Sequence, residues 1–348
     1  MKSTIYFIIS VAMLLASCSN NEKKQESSSQ EVSQVPYPEA KKSYEPMKIE
    51  RLDLLAADFN TLPQAEAHSM LDAMEPGASL YIQLMGNLIS SKGDVADAAN
   101  GMSALAEANA VKIFGKEVKE RLAELTNIEA EIGQVCGVIN ADFPNAHVSH
   151  IYGVISPYRQ GVITSDSNVF VVTNLYLGAD FPGYKGFDEY FRSTRVTERI
   201  PYDVAEAALA AGYPYRDGNT ALSKMLYHGA LIYCAMSTML HPDAAMAIGV
   251  TPEQLKWLDD NRTEIWRTLI DRNMLYSTVP LDADKLLAEA GSSAWLHPEA
   301  PGRVGRFIGL EIVRAYLAQK PDTQLAWLLT PAFYNSDKVL AEAAFNPQ

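Results

Sequence analysis

His228 is the first side chain to test for chemistry, because it lies within a long run of apolar residues at helical spacing. A zinc peptidase of the His-Glu-x-x-His type needs two imidazoles one helical turn apart and a Glu that activates water. Here Gly229 stands in the position of the Glu, and Ile232 in that of the second imidazole. His147 and His150 are three apart in a predicted strand, and an odd separation directs them to opposite faces. The sequence therefore predicts no metal site and no cofactor.

Arg303 and Arg306 lie at the start of a predicted helix over residues 302–319. The positive end of the helix dipole disfavours cations there unless a carboxylate or an anion lies nearby. Pairing with the surplus acid of the chain is the simpler interpretation. The alternative is an anion site that combines free helix N–H groups with guanidinium groups. We group Arg303 and Arg306 with His228 and Asp166 as a candidate anion or partner site.

Cys18 is the third chemical candidate, since Ala16 and Ser17 lead into it from an apolar run that begins at Ile5. Small residues followed by Cys, after a basic start and a short apolar stretch, form the lipobox pattern of a bacterial lipoprotein signal peptide. The apolar run is too short for a transmembrane helix, which needs about 20 residues. We expect cleavage before Cys18 and acylation of Cys18, where two or three chains give stable attachment to the bilayer.

Composition divides the chain into three parts. Residues 1–17 are the predicted signal peptide, and residues 18–47 are polar with almost no large apolar side chains, which predicts a disordered tether. Residues 48–348 form the predicted globular domain. Lys and Glu balance in residues 1–47, so the net charge of −13 belongs to the domain. This acidic charge argues against nucleic-acid binding and against electrostatic attachment to anionic lipid.

The elements that must position these side chains are mostly helical, which predicts a single-domain, predominantly helical α+β fold. The apolar periodicity predicts helices over 63–75, 77–91, 101–122, 126–140, 202–211, 219–240, 252–260, 262–273, 302–319 and 335–344. A short strand is predicted near Lys48, and β-branched runs between about 147 and 175 predict a small antiparallel sheet. Cys136 and Cys234 lie in apolar helical contexts, which favours buried free thiols over a disulfide.

From about Ile49 onward the chain also resembles a known family. The matching stretches are Thr-Ser-Asp-Ser-Asn-Val-Phe-Val-Val-Thr-Asn-Leu-Tyr-Leu-Gly over 164–178, Phe-Pro-Gly-Tyr over 181–184, Ile-Gly-Val-Thr-Pro-Glu-Gln-Leu-Lys-Trp over 248–257, Glu-Ile-Trp over 264–266, Leu-Tyr over 275–276 and Pro-Gly-Arg-Val-Gly-Arg-Phe-Ile-Gly-Leu-Glu-Ile-Val-Arg-Ala-Tyr over 301–316. With the lipobox, their order and spacing resemble the gliding-motility lipoprotein family (GldB type) of Bacteroidetes. The resemblance implies an envelope lipoprotein that supports the machinery moving surface adhesins and the allied secretion system. Family members are also distantly similar to predicted zinc peptidases, which implies a degenerate zincin-like layout with 219–240 as the former metal helix.

Together these observations predict a non-enzymatic component of a gliding-motility or secretion-associated assembly. Its predicted partners are the lipid bilayer, through acylated Cys18, and an envelope protein complex. No dense acidic run follows Cys18, which favours an outer-membrane anchor facing the periplasm. The predicted working surface is the groove between the small sheet, the 219–240 helix and the helix start at Arg303 and Arg306.

Two other function classes stay open. One is a metal-dependent hydrolase or peptidase-like enzyme with non-standard ligands, such as His228 with distant carboxylates. The other is a glycan- or peptide-binding surface lipoprotein, for which the four dispersed tryptophans are the only sequence basis.

Overall fold

The computed structural model describes residues 37–85, 97–289 and 293–347. The predicted signal peptide, Cys18 and the first part of the predicted tether lie outside the described residues. Within the described ranges, no helix has the length and apolar character needed to cross a bilayer.

Helices make up most of the fold and surround one small sheet. The first half of the described chain contains β1 (Ile49–Arg51), α1 (Leu52–Asp58), α2 (Gln64–Ala73), α3 (Gly77–Leu84), α4 (Ala98–Ala106), α5 (Asn109–Arg121), α6 (Thr126–Asp142), β2 (His150–Val154), β3 (Val162–Ser165) and β4 (Asn168–Val172). The second half contains α7 (Glu189–Arg192), α8 (Ile200–Gly212), α9 (Ala221–Ser237), α10 (Ala244–Ile248), α11 (Pro252–Asp260), α12 (Arg262–Asp271), α13 (Pro280–Leu287), α14 (Val304–Gln319), α15 (Leu325–Leu328), α16 (Pro331–Tyr334) and α17 (Val339–Ala343).

The sheet has the strand order β1-β2-β4-β3 and is mixed. β2 is parallel to β1 on one side and to β4 on the other, while β3 pairs antiparallel with β4. The predominantly helical α+β class is confirmed, but the expectation of an antiparallel sheet is wrong in strand direction. The parallel pair β1–β2 is joined by a long helical crossover, and local sequence patterns carry no signal for such a pairing.

The β3–β4 turn explains the position of Asp166. Ser165 pairs with Asn168, so the turn has two residues, and Asp166 has φ of 51°. Positive φ is unfavourable for most side chains, and Asp tolerates it better than most. Asp166 is therefore a residue type that suits this hairpin.

α9 and α14 cross at a backbone-to-backbone contact in the centre of the helical layer. A Cβ placed on Gly229 would overlap the carbonyl group of Gly309, and one placed on Gly309 would overlap the backbone oxygen of Met225. The two glycines thus allow the helix axes to approach more closely than any other residue pair would. α9 is started by Thr220, whose side chain accepts a hydrogen bond from the backbone N–H of Ser223.

The described residues before β1 lie on the surface of the domain. The Gln134 side chain of α6 holds this segment, accepting from the Tyr44 N–H at 3.0 Å and donating to the Lys42 carbonyl at 2.8 Å. The N–H of Ala40 donates to the carbonyl of Met239 at 2.6 Å. The predicted tether therefore ends earlier than residue 47, because residues 37–47 bind the domain through their backbone. Residues 18–36 lie outside the described residues.

Two predicted helices differ from those in the structure. The helix expected over 101–122 is interrupted between Ala106 and Asn109, and the one expected over 335–344 is shortened to α17. Cys136 and Cys234 are buried and free, as predicted.

Candidate functional site

The C-terminal turn of α10 is the place where the arginines of the predicted site meet. A helix end leaves backbone carbonyls without partners in the helix and carries partial negative charge. Three consecutive carbonyls of this turn each accept a hydrogen bond from an arginine. The pairs are Met246 with Arg199, Ala247 with Arg306 at 3.4 Å, and Ile248 with Arg303 at 2.8 Å. The arginines therefore bind the negative end of α10.

Each of these arginines also binds a carboxylate of the chain itself. The pairs are Arg199 with Asp203 at 2.8 Å, Arg306 with Glu206 through two bonds of 2.8 and 2.7 Å, and Arg303 with Glu289 at 2.6 Å. Asp203 and Glu206 lie on α8, while Glu289 follows α13. Internal ion pairing, the simpler interpretation of the sequence, is what this geometry shows.

The cost of burying the charged groups is not offset equally well in each ion pair. Burial by itself would raise the pKa of Glu206, but the charge and hydrogen bonds of Arg306, together with the charge of Arg199, outweigh burial and hold that pKa well below its usual range. Burial, together with the positive charges of Arg306 and Arg199, lowers the pKa of Arg303 to about 9. Arg303 also has φ of 62°, an unfavourable backbone conformation for a residue with a Cβ. The charged form of Arg303 is therefore poorly stabilised by its surroundings.

His228 lies beside this cluster and lines a cavity of about 410 Å³. The other lining residues are Tyr215, Lys224, Tyr227, Asp284, Leu287 and Ala288. Burial and the nearby Arg306 lower the pKa of His228 to about 4, so the imidazole is neutral at neutral pH. Its Nδ1 is buried and has no hydrogen-bond partner in the described part of the chain.

The structure gives a packing reason for both departures from the peptidase pattern. Gly229 contacts the backbone of α14, and Ile232 is 1% exposed in the core. Within the described ranges, no group of three or more His, Cys, Asp or Glu side chains is arranged to hold a metal ion.

Asp166 does not join the other members of the predicted site. It lines a separate cavity of about 90 Å³ together with His147, Thr164 and Gly212, and none of the three other candidates lines that cavity. The grouping of Asp166 with His228, Arg303 and Arg306 is therefore corrected, since those three lie together without it. An acidic side chain in a turn resembles a site residue in sequence, and only the fold separates the two cases.

We call Arg195, Arg199, Arg303 and Arg306, with the carboxylates beside them, the arginine cluster; Arg195 belongs to it because its Nη2 lies 3.9 Å from Oε2 of Glu289. Sequence reasoning missed several of its members, namely Arg195, Arg199, Asp203, Glu206 and Glu289. One signal was present, because Arg199, Asp203 and Glu206 are spaced to lie on one face of a helix. Glu289 offers no comparable signal, since it lies in irregular chain 14 residues before its partner.

The fold and the site define a helical α+β domain in which Arg199, Arg303 and Arg306 are paired with internal carboxylates, and in which the backbone of α14 packs against Gly229. A comparison with protein families gives the class directly, as the family model described as gliding motility protein GldB matches residues 32–347. The chain belongs to this family, which confirms the resemblance of its sequence motifs and associates it with gliding motility as a lipoprotein. No curated protein and no solved structure matches the chain.

Proposed function

We propose that this protein is a non-enzymatic component of a gliding-motility or secretion-associated assembly in the cell envelope. Membership in the GldB family supports the link to motility. The observation that carries the non-enzymatic part is the contact between Gly229 and the backbone at Gly309. A general base would need a carboxylate and a water molecule at this position, whereas the space is occupied by a second helix. This packing argues against a hydrolytic site of the His-Glu-x-x-His type on α9 and supports the non-enzymatic part of the proposal.

The proposal includes an anchor at acylated Cys18, in the outer membrane and facing the periplasm. The lipobox pattern before Cys18 and the family match support the anchor. Since the docked segment begins at Tyr37, at most 18 residues separate it from Cys18. A fully extended chain of that length spans about 65 Å, so the domain would act within that distance of its membrane.

Gene deletion with complementation tests this proposal. We expect the deletion strain to be impaired in spreading, in export of surface proteins or in both, and wild-type protein to restore whatever is lost. Cys18→Ser should fail to restore it and should leave the membrane fraction, while Ser28→Ala, a matched change in the same polar segment, should restore it. Normal spreading and normal export in the deletion strain would refute the assignment.

Metal analysis tests the non-enzymatic part separately. Full-length protein purified in detergent should contain no stoichiometric zinc. Stoichiometric zinc that disappears in His228→Gln would show that the chain is a metalloprotein and would overturn this part of the proposal.

A further inference from the structure

Arg195 is buried beside the ion pairs of the arginine cluster, and its guanidinium group forms no hydrogen bond within the described part of the chain. Its side chain is 7% exposed, and its Nε is buried without a partner. The Phe191 ring lies 3.9 Å from the guanidinium carbon. In the described part of the chain, the one carboxylate within 4 Å is that of Glu289, with Nη2 and Oε2 3.9 Å apart. That distance is too long for a hydrogen bond.

Glu289 is shared between two buried guanidinium groups. Its Oε1 accepts from Nη2 of Arg303 at 2.6 Å, while its Oε2 faces Arg195. The Glu289 side chain is 55% exposed, whereas that of Arg303 is 8% exposed. A surface carboxylate therefore lies over two buried cations and hydrogen-bonds only one of them.

The charges of the cluster do not balance. Asp203 pairs with Arg199 and Glu206 pairs with Arg306, which leaves Glu289 alone for both Arg195 and Arg303. Four guanidinium groups thus face three carboxylates, in a chain whose net charge is −13. A buried charge without a hydrogen-bonded partner is costly, so this place favours one further negative charge.

We propose that Arg195 and Arg303 form a binding site for a carboxylate from outside the domain, and that Glu289 is the internal carboxylate that the ligand displaces. The proposal rests on the proposed function, since it names the chemistry by which an assembly partner is recognised. Displacement is feasible because the Glu289 side chain is 55% exposed, and because the incoming carboxylate takes over the hydrogen bond to Arg303. A carboxylate suits the site because Glu289 already shows that one fits against Arg303, and a guanidinium presents paired donors to it. The carboxylate can belong to an acidic protein segment or to a free small acid.

Calorimetric titration of the full-length protein in neutral detergent tests the site. The probes are glutarate, an end-blocked peptide with acidic side chains, and inorganic phosphate. Glu289→Gln removes the internal competitor, and we expect it to tighten carboxylate binding at least about tenfold, the equivalent of one charge-assisted hydrogen bond. Arg195→Gln should abolish binding. Glu342→Gln, which removes the carboxylate of the exposed Lys320–Glu342 pair, should change nothing and serves as the matched control.

The outcomes separate the ligand sources and the ways of failing. Binding of both glutarate and the peptide supports a general carboxylate site, whereas binding of the peptide alone supports an acidic protein partner. No binding to Glu289→Gln by either probe, or equal binding to wild type and Glu289→Gln, overturns the inference. Phosphate binding as tight as glutarate binding overturns the carboxylate assignment.

A second variant covers a failure of Arg195→Gln to fold. Arg195→Lys keeps the charge and loses the paired donors, and it should bind glutarate more weakly than wild type. Unchanged binding in Arg195→Lys would refute the role of Arg195. Carboxylate binding by Glu289→Gln together with normal motility of the deletion strain would contradict the proposed function alone. Impaired motility without carboxylate binding would contradict this inference alone.

Discussion

The crossing of α9 and α14 predicts that Gly229→Ala destabilises the domain. Inside a helix, Ala is normally better than Gly by about 0.5–1 kcal/mol. Here the new Cβ would overlap backbone atoms of Gly309, which cannot move aside as a flexible side chain can. Overpacking of this kind costs about 1–3 kcal/mol. The two effects together should lower the free energy of unfolding by roughly 1–2 kcal/mol, whereas a Gly-to-Ala change inside a helix usually raises it.

Urea unfolding, followed by circular dichroism, measures this loss. Gly186→Ala is the matched control, because a Cβ at Gly186 would have no atom within 4 Å and its φ is not positive. We expect the control to stay within about 0.5 kcal/mol of wild type. Gly229→Ala combined with Gly309→Ala should cost less than the sum of the single changes, since the first change already separates the helices. A Gly229→Ala variant as stable as wild type would refute the backbone contact, and with it the main support for a non-enzymatic α9.

Three further predictions concern the arginine cluster and the docked segment. Since the pKa of His228 is about 4 in the fold and about 6.5 when unfolded, the unfolded state takes up the proton first as pH falls below 6.5, and stability is lost between pH 6.5 and 4. Between pH 7.5 and 5, wild type should lose about 2 kcal/mol more than His228→Gln in urea unfolding, and equal losses would contradict this. Glu206→Gln should cost about 2–3 kcal/mol by the same method, because it leaves Arg306 buried without its carboxylate; a change below about 0.5 kcal/mol would count against the pair. Gln134→Ala should speed hydrogen exchange at the Tyr44 amide, whose bond it removes, and unchanged exchange would show that other contacts hold the segment.

Helices with local start and stop signals could be predicted from the sequence. α11 has the predicted bounds, because Thr251 and Gln254 form a capping box around Pro252 and Asn261 ends the helix. α14 ends at Gln319, before the Lys-Pro pair that marked its end in the sequence. The strand directions could not be predicted in the same way. β1 pairs with β2 about 100 residues later, and this pairing depends on packing of the intervening helices rather than on any local pattern.

The candidate site was predictable in part, for a similar reason. Arg303 and Arg306 were found because two cations at a helix start are unusual. Their binding partner, the C-terminal end of α10, was not predicted, since that helix has five residues and no apolar period. Arg195 and Glu289 carry no sequence signal, and they gain significance only from lying together in the fold.

The position of α10 also explains how two guanidinium groups are tolerated at the positive end of α14. The C-terminal carbonyls of α10 lie at the same place, so the negative end of one helix stabilises the cations of the other. Positive charge is thereby concentrated and buried in a domain that is acidic as a whole. At low salt, where the Debye length reaches about 30 Å at 0.01 M, the acidic surface of the domain repels an acidic partner over that distance, and attraction acts only at contact with Arg195 and Arg303. Moderate salt should therefore screen the long-range repulsion more than it weakens the buried contact, and recognition by this cluster would depend on short-range fit rather than on electrostatic steering.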